Sequence, residues 1–76
     1  MGVIVFMMPL TMARPGETAT IRRITGRDEV RQHLAELGFV VDSPVTVVNE
    51  LAGNLLLQVK EGRIALDNQM AGRILY

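Results

Sequence analysis

Val30, Leu34 and Leu37 recur at i, i+4 and i+7, which lines three apolar side chains along one stripe of a short helix. Gly38 follows directly, where a helix that must stop takes a residue able to adopt the left-handed conformation. The pattern then changes. The chain leaves through Phe39-Val40-Val41, turns at Asp42-Ser43-Pro44 and enters Val45-Thr46-Val47-Val48, a β-branched run suited to a strand and poorly suited to a helix.

Upstream, Ala13-Arg14-Pro15-Gly16-Glu17 has Pro to fix φ at the second turn position and Gly to accept a positive φ at the third, which predicts a type II turn. Thr18 to Ile24 reads as a strand whose alternation slips at Arg22-Arg23, and a β-bulge there would relieve the slip. Thr25 or Asp28 is the expected N-cap of the helix. Downstream, strands are expected over Pro44 to Glu50, Leu55 to Val59 and Arg63 to Leu66, joined by turns at Ala52-Gly53-Asn54 and Lys60-Glu61-Gly62. Turns this short force antiparallel neighbours. Asp67 caps a helical turn through Gly72, and Arg73 to Tyr76 returns as a closing strand.

The fold class that results is mainly β: a small, partly open SH3-like barrel of roughly five to six antiparallel strands, with one α-helix after the first main strand and a short helical turn before the last. Residues 8–76 form the barrel domain. Residues 1–7 are an apolar extension or extra strand, read as packing on a partner, because their hydrophobicity is continuous and Pro9 follows close behind.

Composition narrows the functional classes. At 76 residues the chain is one domain, burying only about 60–65% of its unfolded surface, and with Phe6, Phe39 and Tyr76 as its only aromatics the core is aliphatic. No cysteine is present, which removes disulfides, thiolate zinc sites, iron–sulfur clusters and cysteine nucleophiles. Eight basic and eight acidic residues cancel and are interleaved along the sequence, so no broad positive face for nucleic acid is expected. The longest apolar stretch, from Gly2 to Met8, falls far short of the roughly 20 residues that cross a bilayer, and no basic residue precedes it as in a signal peptide. A soluble protein that is not exported is expected. There is no Ser-His-Asp order, no phosphate-binding loop and no dinucleotide fingerprint, which argues against an enzyme. Aromatics are too scattered for the groove that grips proline-rich peptides.

Three side-chain groups are candidates for function. Leu55, Leu56 and Leu57 cannot all face one core in a strand, so Leu51 and Leu56 are expected outside and Leu55 and Leu57 inside, unless a bulge reverses the parity. The outward leucines either dock a partner or lie beneath residues 1–8 or the helix. Arg22, Arg23 and Arg27 gather near the strand-to-helix junction and could meet an acidic partner surface or a nucleotide phosphate, against the plainer account of a solvated rim. Glu29, His33 and Glu36 lie on one helix stripe and are weak candidates for Fe(II), Mn(II) or Zn(II), against the account of a solvated face; no metal site or other cofactor is assigned.

Met12-Ala13-Arg14-Pro15-Gly16-Glu17, Leu34-Ala35-Glu36-Leu37-Gly38-Phe39-Val40, Val45-Thr46-Val47-Val48, Gly62-Arg63-Ile64-Ala65-Leu66-Asp67 and Ala71-Gly72-Arg73-Ile74-Leu75 together resemble the FeoA family, in its order, from about Met8 to Tyr76. The resemblance implies a small cytosolic SH3-like domain that accompanies the FeoB-type permease in bacterial ferrous iron uptake, held near the inner membrane through that partner. It also relates the chain to the terminal domain of DtxR-like metal-dependent repressors. Two alternatives remain from other classes: a metal-responsive regulatory domain, and a self-assembling scaffold built on the exposed leucines as a homo-oligomer.

Overall fold

The β-branched run found in the sequence becomes the central strand of the protein in a computed structural model that describes residues 6–60 and 62–76. This strand, β3 (Pro44–Leu51), lies between β1 (Thr18–Thr20) and β4 (Asn54–Val59), and β5 (Gly62–Asp67) follows at the edge. All three pairings are antiparallel. Val45 and Val47 on β3 and Leu55, Leu57 and Val59 on β4 turn inward and are buried, in the period-2 pattern of a sheet with one covered face.

A second, two-stranded sheet pairs β2 (Arg23–Ile24) with β6 (Ile74–Leu75). The expected single strand from Thr18 to Ile24 is therefore two strands in two sheets, and the expected bulge at Arg22-Arg23 is a change of partner. The Ile21 N–H donates to the Ser43 carbonyl at 2.9 Å, whereas the next N–H, that of Arg22, donates to the Leu75 carbonyl at 2.7 Å. One peptide step moves the chain from one sheet to the other. Ile21 is fully buried at this corner, so the turn is anchored by its side chain while both arginines stay exposed. The irregularity that does occur in a strand is on β3, where the register shifts between Val47 and Asn49 and leaves Val48 as the extra residue.

Helix α1 (Asp28–Glu36) packs Leu34 into the core, with Val30 and Leu37 partly buried beside it. It ends as the sequence predicts. Gly38 takes φ of 107°, its N–H donates to the Ala35 carbonyl at 3.0 Å, and the Phe39 N–H donates to the Leu34 carbonyl at 2.9 Å. These two bonds are the Schellman pair, and buried Phe39 supplies the apolar contact that accompanies it. The start differs from expectation. Arg27 is the N-cap and makes no side-chain capping bond; Asp28 is already helical and pairs with Arg31, and Thr25 instead donates its hydroxyl to the Arg73 carbonyl at 3.3 Å. An acidic side chain in the first turn still favours the helix dipole, so Asp28 acts there without capping.

The Arg14-Pro15-Gly16-Glu17 turn closes with Glu17 N–H donating to the Arg14 carbonyl at 3.0 Å and Gly16 at φ of 91°. Asp67 caps α2 (Asn68–Ala71) by accepting from the Met70 N–H at 2.8 Å. A 3-10 turn over Leu10–Met12 plugs one end of the core with fully buried Leu10. Just before it, Pro9 bridges to Leu75, so the segment entering the domain runs antiparallel beside β6. Of the apolar N-terminal stretch 1–7, residues 1–5 lie outside the described residues; Phe6 and Met7 are exposed.

Candidate functional site

Local sequence fixes the shape of the β3–β4 hairpin. Leu51 pairs with Asn54, leaving Ala52 and Gly53 as a two-residue loop with φ of 51° and 79°. Positive φ at both central positions is the type I′ turn, whose twist matches that of the strands it joins. The tight turn thus places Leu51 at the tip of the hairpin, in register with Asn54.

Strand alternation then sorts the leucines. Leu55 and Leu57 are buried, Leu56 is half-buried, and Leu51 is 74% exposed. Leu56 stands opposite Ala65 on β5 and Asn49 on β3. These residues, with Leu51 and Asn54, line a shallow depression of about 230 Å³ on the outer face of the sheet. None of the described residues covers Leu51. Asn49, Asn54 and Ala65 complete this face and were not singled out from the sequence; the signal that could have found Ala65 is its place opposite Leu56 in the β4–β5 hairpin.

The arginines are elsewhere. Arg22 and Arg23 are exposed at the corner between the sheets, and Arg27 is exposed at the start of α1. Arg73 joins them: its carbonyl accepts from the Thr25 N–H at 2.8 Å, and its side-chain Cδ lies 3.6 Å from where a Cβ on Gly26 would stand. Sequence separation hid this neighbour.

Glu29, His33 and Glu36 are exposed on α1, and among the described residues no group of three His, Asp or Glu side chains is arranged to hold a metal ion. Arg31 and Asp28 form an ion pair on this helix. A larger groove, about 610 Å³, lies between the end of α1 and strands β3 and β4, with Glu36, Val40, Thr46 and Lys60 among its walls. It is open, and its described lining has a single carboxylate, a single ammonium and no histidine, which make no acid–base constellation. No described helix is long and apolar enough to cross a membrane.

Comparison with known proteins agrees with this architecture. The FeoA domain model matches residues 8–76. The chain is similar to a crystal structure of an iron uptake regulatory protein (FeoA), with 25% identity over 93% of this chain and 95% of that one, at a TM-score of 0.83. It is also similar to a manganese-dependent transcriptional repressor, with 25% identity and a TM-score of 0.80, covering 91% of this chain but 40% of the repressor. A FeoA-like protein from Clostridium acetobutylicum, 15% identical, shares the fold at a TM-score of 0.83, over 95% of this chain and 86% of that one. No curated protein sequence matches.

Proposed function

Because the chain belongs to the FeoA family, we propose that it serves ferrous iron uptake as a non-catalytic module that docks on a FeoB-type permease. The observation that carries this reading is the β3–β4 tip: Leu51 is 74% exposed on a hairpin whose turn and register hold it outward. What marks the place is not one exposed leucine but its continuity with further apolar surface, the arrangement expected of a docking patch. Leu56 and Ala65 provide the apolar floor beside it, and Asn49 and Asn54 a polar rim.

The metal-responsive reading draws on the likeness to a manganese-dependent repressor. It has less support, because Glu29, His33 and Glu36 do not converge with other ligands among the described residues. Docking needs no such convergence.

The test is a titration of the isotope-labelled chain with the cytosolic part of its permease, read by backbone amide shifts. Saturable shifts confined to Leu51–Leu57 and the facing part of β5 are expected, and Leu51→Glu abolishes them while leaving the fold and its melting temperature intact. Unchanged binding and unchanged iron uptake in a folded Leu51→Glu, Leu56→Glu double variant would overturn the assignment.

A further inference from the structure

Strand β5 pairs with β4 alone, so one of its edges is open. In an antiparallel ladder the residues of such a strand bond the neighbour and point away from it by turns. The Asn68 N–H donates to the Gly53 carbonyl at 2.9 Å, which makes Gly53 and Asn68 a hydrogen-bonded pair one step beyond Asn54 and Asp67. Alternation from there gives Leu66, Ile64 and Gly62 to β4 and turns the N–H groups of Arg63, Ala65 and Asp67 outward. The β3–β4 turn agrees, because Leu51 and Asn54 close it as a hydrogen-bonded pair and so commit the backbone of Asn54, Leu56 and Gln58 to β3. Among the described residues no backbone carbonyl accepts from the outward N–H groups of β5. The opposite edge of the sheet, β1, is only Thr18–Thr20 and has no charged side chain.

The outward residues of β5 complement themselves. When a second copy of the strand lies antiparallel along the first, about a twofold axis at Ala65, Ala65 faces Ala65 and Arg63 of each copy faces Asp67 of the other. The same register sets open backbone groups against open backbone groups. The two Ala65 residues exchange both hydrogen bonds, and each Asp67 N–H donates to the Arg63 carbonyl across the axis, while the Asp67 carbonyl serves α2, of which Asp67 is the N-cap. A slip of two residues in either direction parts Arg63 from Asp67, so charge fixes the register. Neither residue makes an ion pair among the described residues. Arg63 Nε donates to Gln58 Oε1 at 3.0 Å and Asp67 Oδ1 accepts from the Met70 N–H at 2.8 Å, which leaves the terminal guanidinium nitrogens and Asp67 Oδ2 to meet. On the inner face, half-buried Ile64 gains Leu66 of the second copy as its cross-strand neighbour.

We propose that β5 is the seam of a homodimer in which two four-stranded sheets join edge to edge. A second copy fits better than a foreign strand, because the complementarity is that of one sequence read against itself; an unrelated strand could use the N–H groups but need not have an acid and a base four residues apart. The formal net charge is zero, so no long-range repulsion opposes the encounter. The seam is short and exposed ion pairs contribute little, so the dimer is weak and its charges select register more than they add strength. Its effect is on the outer face. Ala65 lies beside Leu56 there, so the depression of one copy continues across the axis into that of the other. The seam makes no use of Leu51 and does not rest on the docking reading.

The experiment is sedimentation velocity of the full chain over a range of concentrations, with amide hydrogen exchange on the same samples. A monomer–dimer equilibrium with a dissociation constant of about 10–1,000 μM is expected, and exchange at Ala65 and Asp67 slows as concentration rises. Arg63→Glu sets acid against acid at both ends of the seam and weakens association at least about tenfold. Asp67→Asn keeps a side chain able to cap α2 and weakens it by about threefold. Both positions are exposed, so both variants melt within a few degrees of the parent. Leu51→Glu associates as the parent does, which separates this seam from association through the hairpin leucines. A parent that stays monomeric up to about 1 mM, association undiminished in folded Arg63→Glu, or association abolished in Leu51→Glu overturns the proposal.

Discussion

Met8 and Tyr76 exchange both of their backbone hydrogen bonds, the N–H of each donating to the carbonyl of the other at 2.8 Å. The first part of the domain is thereby clasped to its last residue, and β6 acquires a neighbour on each side although its formal partner is β2 alone.

The clasp should be measurable as a local stability. Met8→Pro removes one donor, whereas Met8→Ala keeps both bonds. The proline variant is expected to lose about 1 kcal/mol in denaturant unfolding and to speed amide exchange at Tyr76, with the alanine variant close to the parent. Equal exchange rates in the two variants would show that the pair contributes nothing.

Tyr76 carries a second prediction. Partial burial raises its phenol above the ordinary value of 10.0, and the charge and hydrogen bonding of the Glu17 carboxylate raise it further. Tyr76 is the only tyrosine and there is no tryptophan, so ultraviolet titration reports this group alone. A midpoint above 10.0 is expected, moving down in Glu17→Gln. A phenol whose folded value is raised adds stability that is fully present below its unfolded value and is lost as pH climbs through the folded one. Stability should therefore fall above about pH 10, and Tyr76→Phe should remove that alkaline component.

At the hairpin tip, Ala52 holds φ of 51°, which an L-residue with an ordinary side chain adopts at a cost. Ala52→Asn installs the Asn-Gly pair that type I′ turns favour and should stabilise by about 0.5–1 kcal/mol, read as a higher melting temperature. Gly53→Ala should destabilise by a similar amount. A Cβ at Gly53 meets nothing within 4 Å, so the effect there is one of backbone conformation and not of crowding.

Phe39 is fully buried directly after the helix-stopping glycine. Phe39→Ala is expected to cost about 3–5 kcal/mol, comparable with the whole stability of a domain this small, and to leave the chain largely unfolded at 37 °C by circular dichroism.

Features set by neighbouring residues were legible in the sequence. The Val30, Leu34, Leu37 stripe, the Gly38 stop, the Pro15-Gly16 turn, the Asp67 cap and the opposed facing of Leu55 and Leu56 all rest on spacings of a few residues. Features set by distant partners were not. The break at Ile21 and Arg22 exists because Ser43 and Leu75 compete for successive N–H groups, and nothing within the strand itself records either acceptor. The N-cap at Arg27 is of the same kind, since Thr25 is drawn away by Arg73. The candidate site divides likewise. Leu56 follows from alternation on β4, while Asn49 and Leu51, two residues apart on β3 and of the same parity as buried Val47, reach its face only through the shift at Val48, and Arg73 joins the arginines only through the closing strand.

The clasp also imposes an order in time. Met8 and Tyr76 stand at opposite ends of the domain, so the clasp closes a loop of nearly its whole length, whereas β3, β4 and β5 each pair with a near neighbour in sequence and close short loops; the meander is expected to form before the clasp. Throughout that interval Phe6, Met7, Met8 and the corner at Ile21 wait without their final neighbours. Until the clasp closes, the second edge of β6 stays unpaired and open to other chains, so concentration and temperature during refolding bear on how much of the protein reaches the folded state.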